Sequence, residues 1–253
     1  MQPDDVMTRP SDPPDATVRY AEHQDGLIDL HLPVDTSRPH PLVVYVHGGF
    51  WRQGWDRRHA RPLANALAAD GYVVAVPEYR RVGGSGGWPT TAQDVERALE
   101  ALPALLDGLH LATTATTLVG HSAGGHLVLW AANQPLAGRV ERVVALAPVG
   151  DLRMAAEVDM GAGAAVALLG GTPEQVPDAY DAADPGSRLR TRPPCDVVVL
   201  HGDRDDAVPV ESSRGLAARY PWLDYRELAG ADHSAVIDPL SDVWPAVREA
   251  LEG

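Results

Sequence analysis

The sequence contains no lysine, and all 21 basic residues are arginine. That absence excludes chemistry built on a lysine Schiff base, a pyridoxal-phosphate anchor or a P-loop phosphate clamp. Cysteine is almost as scarce. Cys195 has no partner for an intramolecular disulfide, and its neighbours Pro193, Pro194 and Asp196 offer no zinc spacing, so it reads as a small apolar residue entering a strand. No apolar run approaches the ~18 residues that a membrane span needs. The first thirty residues carry Asp4, Asp5, Asp12 and Asp15 among prolines and lack the basic and apolar regions of a signal peptide, so a cytoplasmic location is expected. With a net charge of −14 at pH 7, the long-range field repels phosphate backbones and anionic lipid surfaces, and neither nucleic acid nor membrane is an expected partner. No H-E-x-x-H or other metal spacing occurs, and Gly83-Gly84-Ser85-Gly86-Gly87 fits no dinucleotide or nucleotide fingerprint. No metal or cofactor is expected, and the glycine run reads as a flexible loop.

What is present is a chain of 253 residues with 45% hydrophobic and 22% charged residues, the usage of an ordinary globular protein. Residues 1–16 read as a flexible leader and 17–253 as one domain. Thr17 to His23 and Leu27 to Leu32 alternate like an opening antiparallel pair. Short apolar runs at 41–47, 72–76, 116–119, 143–147, 197–200 and 225–228 read as strands. Helical patterns fall between them: one at 60–70, one from Pro89 to Gly108 with a Thr91…Asp94 capped start, and one at 127–132 that Pro135 should end. This alternation implies an α/β fold, a mostly parallel twisted sheet with helices on both faces. Residues 151–190, with a Gly/Ala-rich stretch between two strands, read as a small helical cap or crossover.

The chemistry concentrates at strand ends. Gly120-His121-Ser122-Ala123-Gly124 follows one strand and opens a helix, the context in which a tight turn exposes a serine oxygen at a helix N-terminus. A serine hydroxyl is a weak nucleophile and needs a base and donors for the oxyanion. His47-Gly48-Gly49-Phe50-Trp51 ends an earlier strand, so backbone N–H groups of Gly49, Phe50 and Ala123 are the candidate oxyanion hole. Downstream, Asp203, Asp205 and Asp206 compete for the triad acid. Asp205 is the first choice and Asp203 the reserve. His233, the one histidine after them, is the candidate base. His47 and His201 should brace neighbouring loops, and His121 and His126 flank the nucleophile in positions that are more often packed than catalytic. Trp51 and Trp55 lie near the oxyanion loop, either lining a pocket or packing in the core. Trp51 and His121 are carried forward as candidate substrate-binding residues.

These motifs resemble α/β-hydrolases of the kynurenine formamidase-like and small carboxylesterase group. The likeness rests on H-G-G-F-W at 47–51, G-H-S-A-G-G-H at 120–126, H-G-D-R-D-D-A-V-P at 201–209 and A-D-H-S at 231–234. Gly170 to Pro177 and Ala183-Asp184-Pro185 add to it, so it spans most of residues 25–253. The resemblance implies the α/β-hydrolase fold and a serine hydrolase that cleaves a small-molecule ester or formamide through an acyl-enzyme, without a cofactor. Kynurenine formamidases hydrolyse N-formylkynurenine to formate and kynurenine. Rival readings are a short-chain acyl or carbohydrate-ester esterase, a peptidase of the prolyl-oligopeptidase relation, and a non-catalytic ligand sensor on the same fold. A homodimer is compatible with all of them.

Overall fold

A computed structural model of the chain describes residues 6–134 and 139–252. Eight strands form one sheet: β1 (Ala16–Arg19), β2 (Leu27–His31), β3 (His40–Val46), β4 (Val73–Pro77), β5 (Thr113–His121), β6 (Arg142–Leu146), β7 (Asp196–Gly202) and β8 (Asp224–Leu228). Their spatial order is β1-β2-β4-β3-β5-β6-β7-β8. The β1–β2 and β2–β4 pairs are antiparallel, and every later pair is parallel.

Side-chain alternation along the central strands divides the interior in two. Leu42, Val44 and Val46 of β3 join one buried cluster with α2 (Thr90–Gly108) and α3 (Ala123–Ala131), while Val43 and Tyr45 join the opposite one with α1 (Arg61–Ala69) and α9 (Trp244–Glu252). Strands buried on both faces read as continuous apolar runs, and that is how β3, β4, β6 and β7 are written. Helix α8 (Glu211–Arg219) follows β7. Residues 151–190 fold into four short helices: α4 (Leu152–Glu157), α5 (Ala164–Leu169), α6 (Pro177–Ala183) and α7 (Pro185–Arg188). Trp130 Nε1 of α3 donates to Ala182 O at 3.1 Å, which ties this segment to the helix behind the elbow.

Two sequence expectations change. From Val6 onward the leader is not loose: Val6 is buried in the α1/α9 cluster, Arg9 makes a two-pronged pair with Asp238 at 2.6 and 2.7 Å, and Leu32 N donates to Asp15 at 2.7 Å. Arginine can reach a carboxylate in a segment remote in sequence, and composition alone does not reveal such a partner. The Thr91…Asp94 pair does not cap α2, which starts at Thr90 without a side-chain cap. Thr91 instead donates to Arg80 O at 2.7 Å, and the wholly buried Asp94 accepts from Arg80 Nε and Nη2 at 2.8 and 2.7 Å. A two-pronged guanidinium contact to a buried carboxylate holds it more strongly than a cap would. Helix α3 ends at Ala131, before Pro135; Pro135 itself and the first five residues of the leader lie outside the described residues.

Candidate active site

The candidate residues all come from the carboxyl ends of parallel strands, where the loops of an open α/β sheet converge. Residues 47–51 follow β3, Ser122 follows β5, Asp205 follows β7 and His233 follows β8.

Ser122 joins β5 to α3 with φ 55° and ψ −116°, a left-handed backbone that costs a non-glycine residue on the order of 1–3 kcal/mol. The surroundings enforce it. Ser122 N donates to Leu146 O at 2.9 Å, while Ser122 O accepts from His126 N at 3.0 Å and Val149 N at 3.2 Å. The glycine at 124 is required because a Cβ there would collide with the Val46 carbonyl. Ser122 is buried, with 3% of it exposed.

His233 Nδ1 donates to Asp205 Oδ2 at 2.7 Å, which leaves Nε2 as the lone-pair nitrogen. Asp205 is saturated: Oδ2 also accepts from His201 Nε2 at 3.0 Å, and Oδ1 accepts from Ala207 N and Val208 N at 2.9 and 2.7 Å. Burial by itself raises this carboxyl, yet the hydrogen bonds from His201 and His233 outweigh it and hold Asp205 well below the usual carboxylate range. The Ser213 hydroxyl donates to His201 Nδ1 at 2.7 Å, fixing the ring that supports Asp205. Asp203 accepts from Gly230 N at 2.6 Å, and among the described residues it makes no hydrogen bond to His233.

The candidate oxyanion loop carries three consecutive residues in the left-handed region: Gly49 (φ 109°), Phe50 (54°) and Trp51 (55°). At Gly49 a Cβ would strike the Trp55 side chain. The N–H groups of Gly49, Phe50 and Ala123 donate to no backbone carbonyl among the described residues. Beneath the loop, His47 Nε2 donates to Glu78 Oε1 at 2.8 Å and stacks on Tyr79 at 4.4 Å. Burial raises the Glu78 carboxyl, but His47 and Arg81 overcome this and bring it to about 2. Glu78 is a brace that pattern reading missed. Its one signal is a carboxylate directly after a buried strand. From the cap side, Arg52 Nη2 donates to Ala162 O at 2.7 Å, and the Phe50 ring lies against Gly161.

Both candidate substrate-binding residues are corrected. Trp51 is wholly buried and packs edge-on against His126 with ring centres 5.2 Å apart, so it fills the core under the loop. Its left-handed backbone turns the side chain inward while Phe50 faces the cap. His121 is also buried, and its Nε2 donates to His233 O at 2.9 Å. It positions the His233 loop from below because alternation along β5 points it into the molecule. Among the described residues, no group of three or more His, Cys, Asp or Glu is arranged to hold a metal ion, and no helix is long and apolar enough to cross a membrane.

Three histidines around the site are buried in the neutral form. Burial, aided by His47, lowers His59 to about 3. Burial lowers His126 to about 4, and burial with the nearby His233 pushes His121 well below its ordinary value. A folded state that binds fewer protons than the unfolded chain gains stability as pH rises from these depressed values to about 6.5, and is flat above that. Acidifying to about pH 5 is therefore expected to cost about 1–2 kcal/mol for each of His59 and His126. Urea unfolding at pH 7.5 and 5 checks this, and His126→Gln should remove part of the slope. An unfolding free energy independent of pH over that range would contradict it.

A profile of the BD-FAE family matches residues 28–220. Esterase LipC of Mycobacterium tuberculosis is 28% identical over 248 aligned residues, covering 85% of this chain and 58% of that protein. Kynurenine formamidase of Salmo salar is 31% identical over 113 residues, 44% of this chain and 35% of that protein. The chain thus spans between about a third and somewhat over half of the length of these curated relatives. Among solved structures, a truncated carbohydrate esterase from gut microbiota superposes with a TM-score of 0.80 at 18% identity, covering 96% of this chain and all of that one. That likeness shows the α/β-hydrolase fold. With the profile spanning well over half of its length, the chain belongs to the BD-FAE family.

Proposed function

We infer that the protein is a serine hydrolase acting on a small ester or formamide, with Ser122 as nucleophile, His233 as general base and acid, and Asp205 as the group that orients His233. The observation that carries this reading is the 2.7 Å bond from His233 Nδ1 to Asp205, because it leaves Nε2 able to take a hydroxyl proton. His233 Nε2 accepts the proton as Ser122 Oγ bonds to the substrate carbonyl carbon. The N–H groups of Gly49, Phe50 and Ala123 receive the oxyanion, each worth about 3–4 kcal/mol in such sites. Collapse breaks the carbon–leaving-group bond, and the leaving alcohol or amine takes the proton from His233. Water, deprotonated by the same imidazole, then cleaves the acyl-enzyme and restores Ser122. Each step uses side chains, backbone and water.

The esterase names among the relatives favour an ester substrate, and the kynurenine formamidase likeness over part of the chain favours a formamide as the second candidate. Labelling with a fluorophosphonate, followed by peptide mapping, tests the class: modification at Ser122 alone is expected. A folded protein that resists the reagent would favour a non-catalytic ligand sensor. Relative kcat/KM on phenyl acetate and N-formylkynurenine then separates esterase from formamidase.

A further inference from the structure

A second feature lies next to the loop that follows β3. A polar groove of about 400 Å3 is lined by residues 7–11 together with Trp55, Asp56, Arg58, His59 and Arg61. It adjoins the candidate oxyanion loop directly. The Trp55 side chain rests on Gly49, and a Cβ at Gly48 would lie 3.1 Å from Ser122 Cβ. His59, on the groove wall, packs edge-on against both Trp55 and His47, with ring centres 5.9 and 5.3 Å away.

The charges in the groove are unbalanced. Arg9 is neutralised by Asp238, and the mostly exposed Arg58 is 3.4 Å from Asp56. Arg61 has no carboxylate within ion-pairing distance among the described residues, and its buried Nε meets no acceptor. The buried His59 ring on the groove wall has the Asp56 backbone beside it. A buried guanidinium nitrogen is costly to leave unpaired, and native proteins rarely keep one so unless a ligand or water completes it. In a chain of net charge −14, an unpaired guanidinium in a groove next to the candidate oxyanion loop is well suited to an anion, and its planar fork matches a carboxylate.

We propose that this groove is a carboxylate-recognition subsite of the Ser122 site, in which Arg61, assisted by Arg58 at the mouth, holds an ionised carboxylate of the substrate. The preferred substrates are then half-esters or carboxylated aryl esters and amides rather than neutral ones. This assignment rests on the hydrolase reading above for its use in turnover. The groove can also be probed without turnover.

The test compares phenyl acetate with 3-acetoxybenzoate, whose carboxylate is on the leaving group, and with monophenyl succinate, whose carboxylate is on the acyl chain. Wild type should favour one carboxylated ester in kcat/KM, and the favoured arm shows which side of the scissile bond enters the groove. Arg61→Gln should reduce the ratio of that ester to phenyl acetate by about tenfold or more, mainly through KM, and Arg61→Lys should restore part of it. The wild-type preference should also weaken in high salt. Calorimetric binding of 3-hydroxybenzoate and of succinate gives the turnover-independent arm: at least one should bind wild type and lose about tenfold in affinity in Arg61→Gln. Thermal melting confirms that each variant is folded, and Arg58→Gln, at an exposed position, provides a second probe. Absence of any carboxylate preference overturns the assignment, and so does a ratio within about twofold of wild type in a folded Arg61→Gln. If phenyl acetate is not cleaved and Ser122 is not labelled, the hydrolase reading falls, while the binding arm still decides the groove.

Discussion

Ser122→Ala is expected to lower kcat on whichever ester or formamide the protein turns over by about ten-thousand- to million-fold, with KM changed little. The loss is large because nucleophile and base act as one unit: without the hydroxyl, His233 has no proton to accept and no covalent intermediate forms. The residual rate comes from the oxyanion donors and substrate positioning, which act on direct attack by water. The fold should survive, because the elbow is held by backbone bonds to Leu146, His126 and Val149 rather than by the serine side chain. Burst and steady-state kinetics on phenyl acetate, with thermal melting as the control, read the effect. Turnover within tenfold of wild type would mean that another residue is the nucleophile.

Asp205→Asn is expected to lower kcat by about a thousand- to ten-thousand-fold and to destabilise the fold by about 1–3 kcal/mol. The reason lies in the four bonds that Asp205 accepts. Two histidine N–H groups point at Oδ2 and two backbone N–H groups point at Oδ1. An asparagine amide has one acceptor end and one donor end. If its oxygen faces the histidines, its NH2 meets the donors of Ala207 and Val208. If it is flipped, the NH2 faces His233, whose Nδ1 must then accept, and the proton moves to Nε2, the nitrogen that should take the serine proton. Asp203→Asn, by contrast, should leave kcat within a few-fold, since the Asp203 carboxylate accepts from Gly230 N rather than from His233. Wild type and the two variants compared at one substrate, with urea unfolding alongside, separate the catalytic loss from the structural one. A large loss in Asp203→Asn with none in Asp205→Asn would reverse the assignment of the acid.

Much of the fold was legible because its signals are local. Strands buried on both faces are written as unbroken β-branched runs, and the helices between them carry a 3.6-residue period, so the parallel sheet and the antiparallel β1–β2 opening follow from short windows of sequence. What failed was side-chain direction and long-range pairing. Trp51 lies in a motif that invites a binding role, but the left-handed turn at 49–51 places its ring in the core. His121 faces inward to the His233 carbonyl, and Asp94 serves Arg80 rather than its own helix. In each case the partner is remote in sequence or the backbone departs from the regular geometry on which pattern reading depends.

Sequence by itself determined which residue types are available and in what order: a serine between a strand and a helix, flanked by glycines, followed by a carboxylate loop and one later histidine. It also excluded lysine-based chemistry outright. The tertiary structure decided which of three aspartates meets His233 and which histidine stands behind that aspartate, and among the described residues it left Arg61 without a carboxylate in the groove next to the candidate oxyanion loop. The division has a physical basis. Backbone turns and alternation arise from neighbours along the chain, whereas hydrogen-bond and charge partners are set by strand order, which brings together residues far apart in sequence.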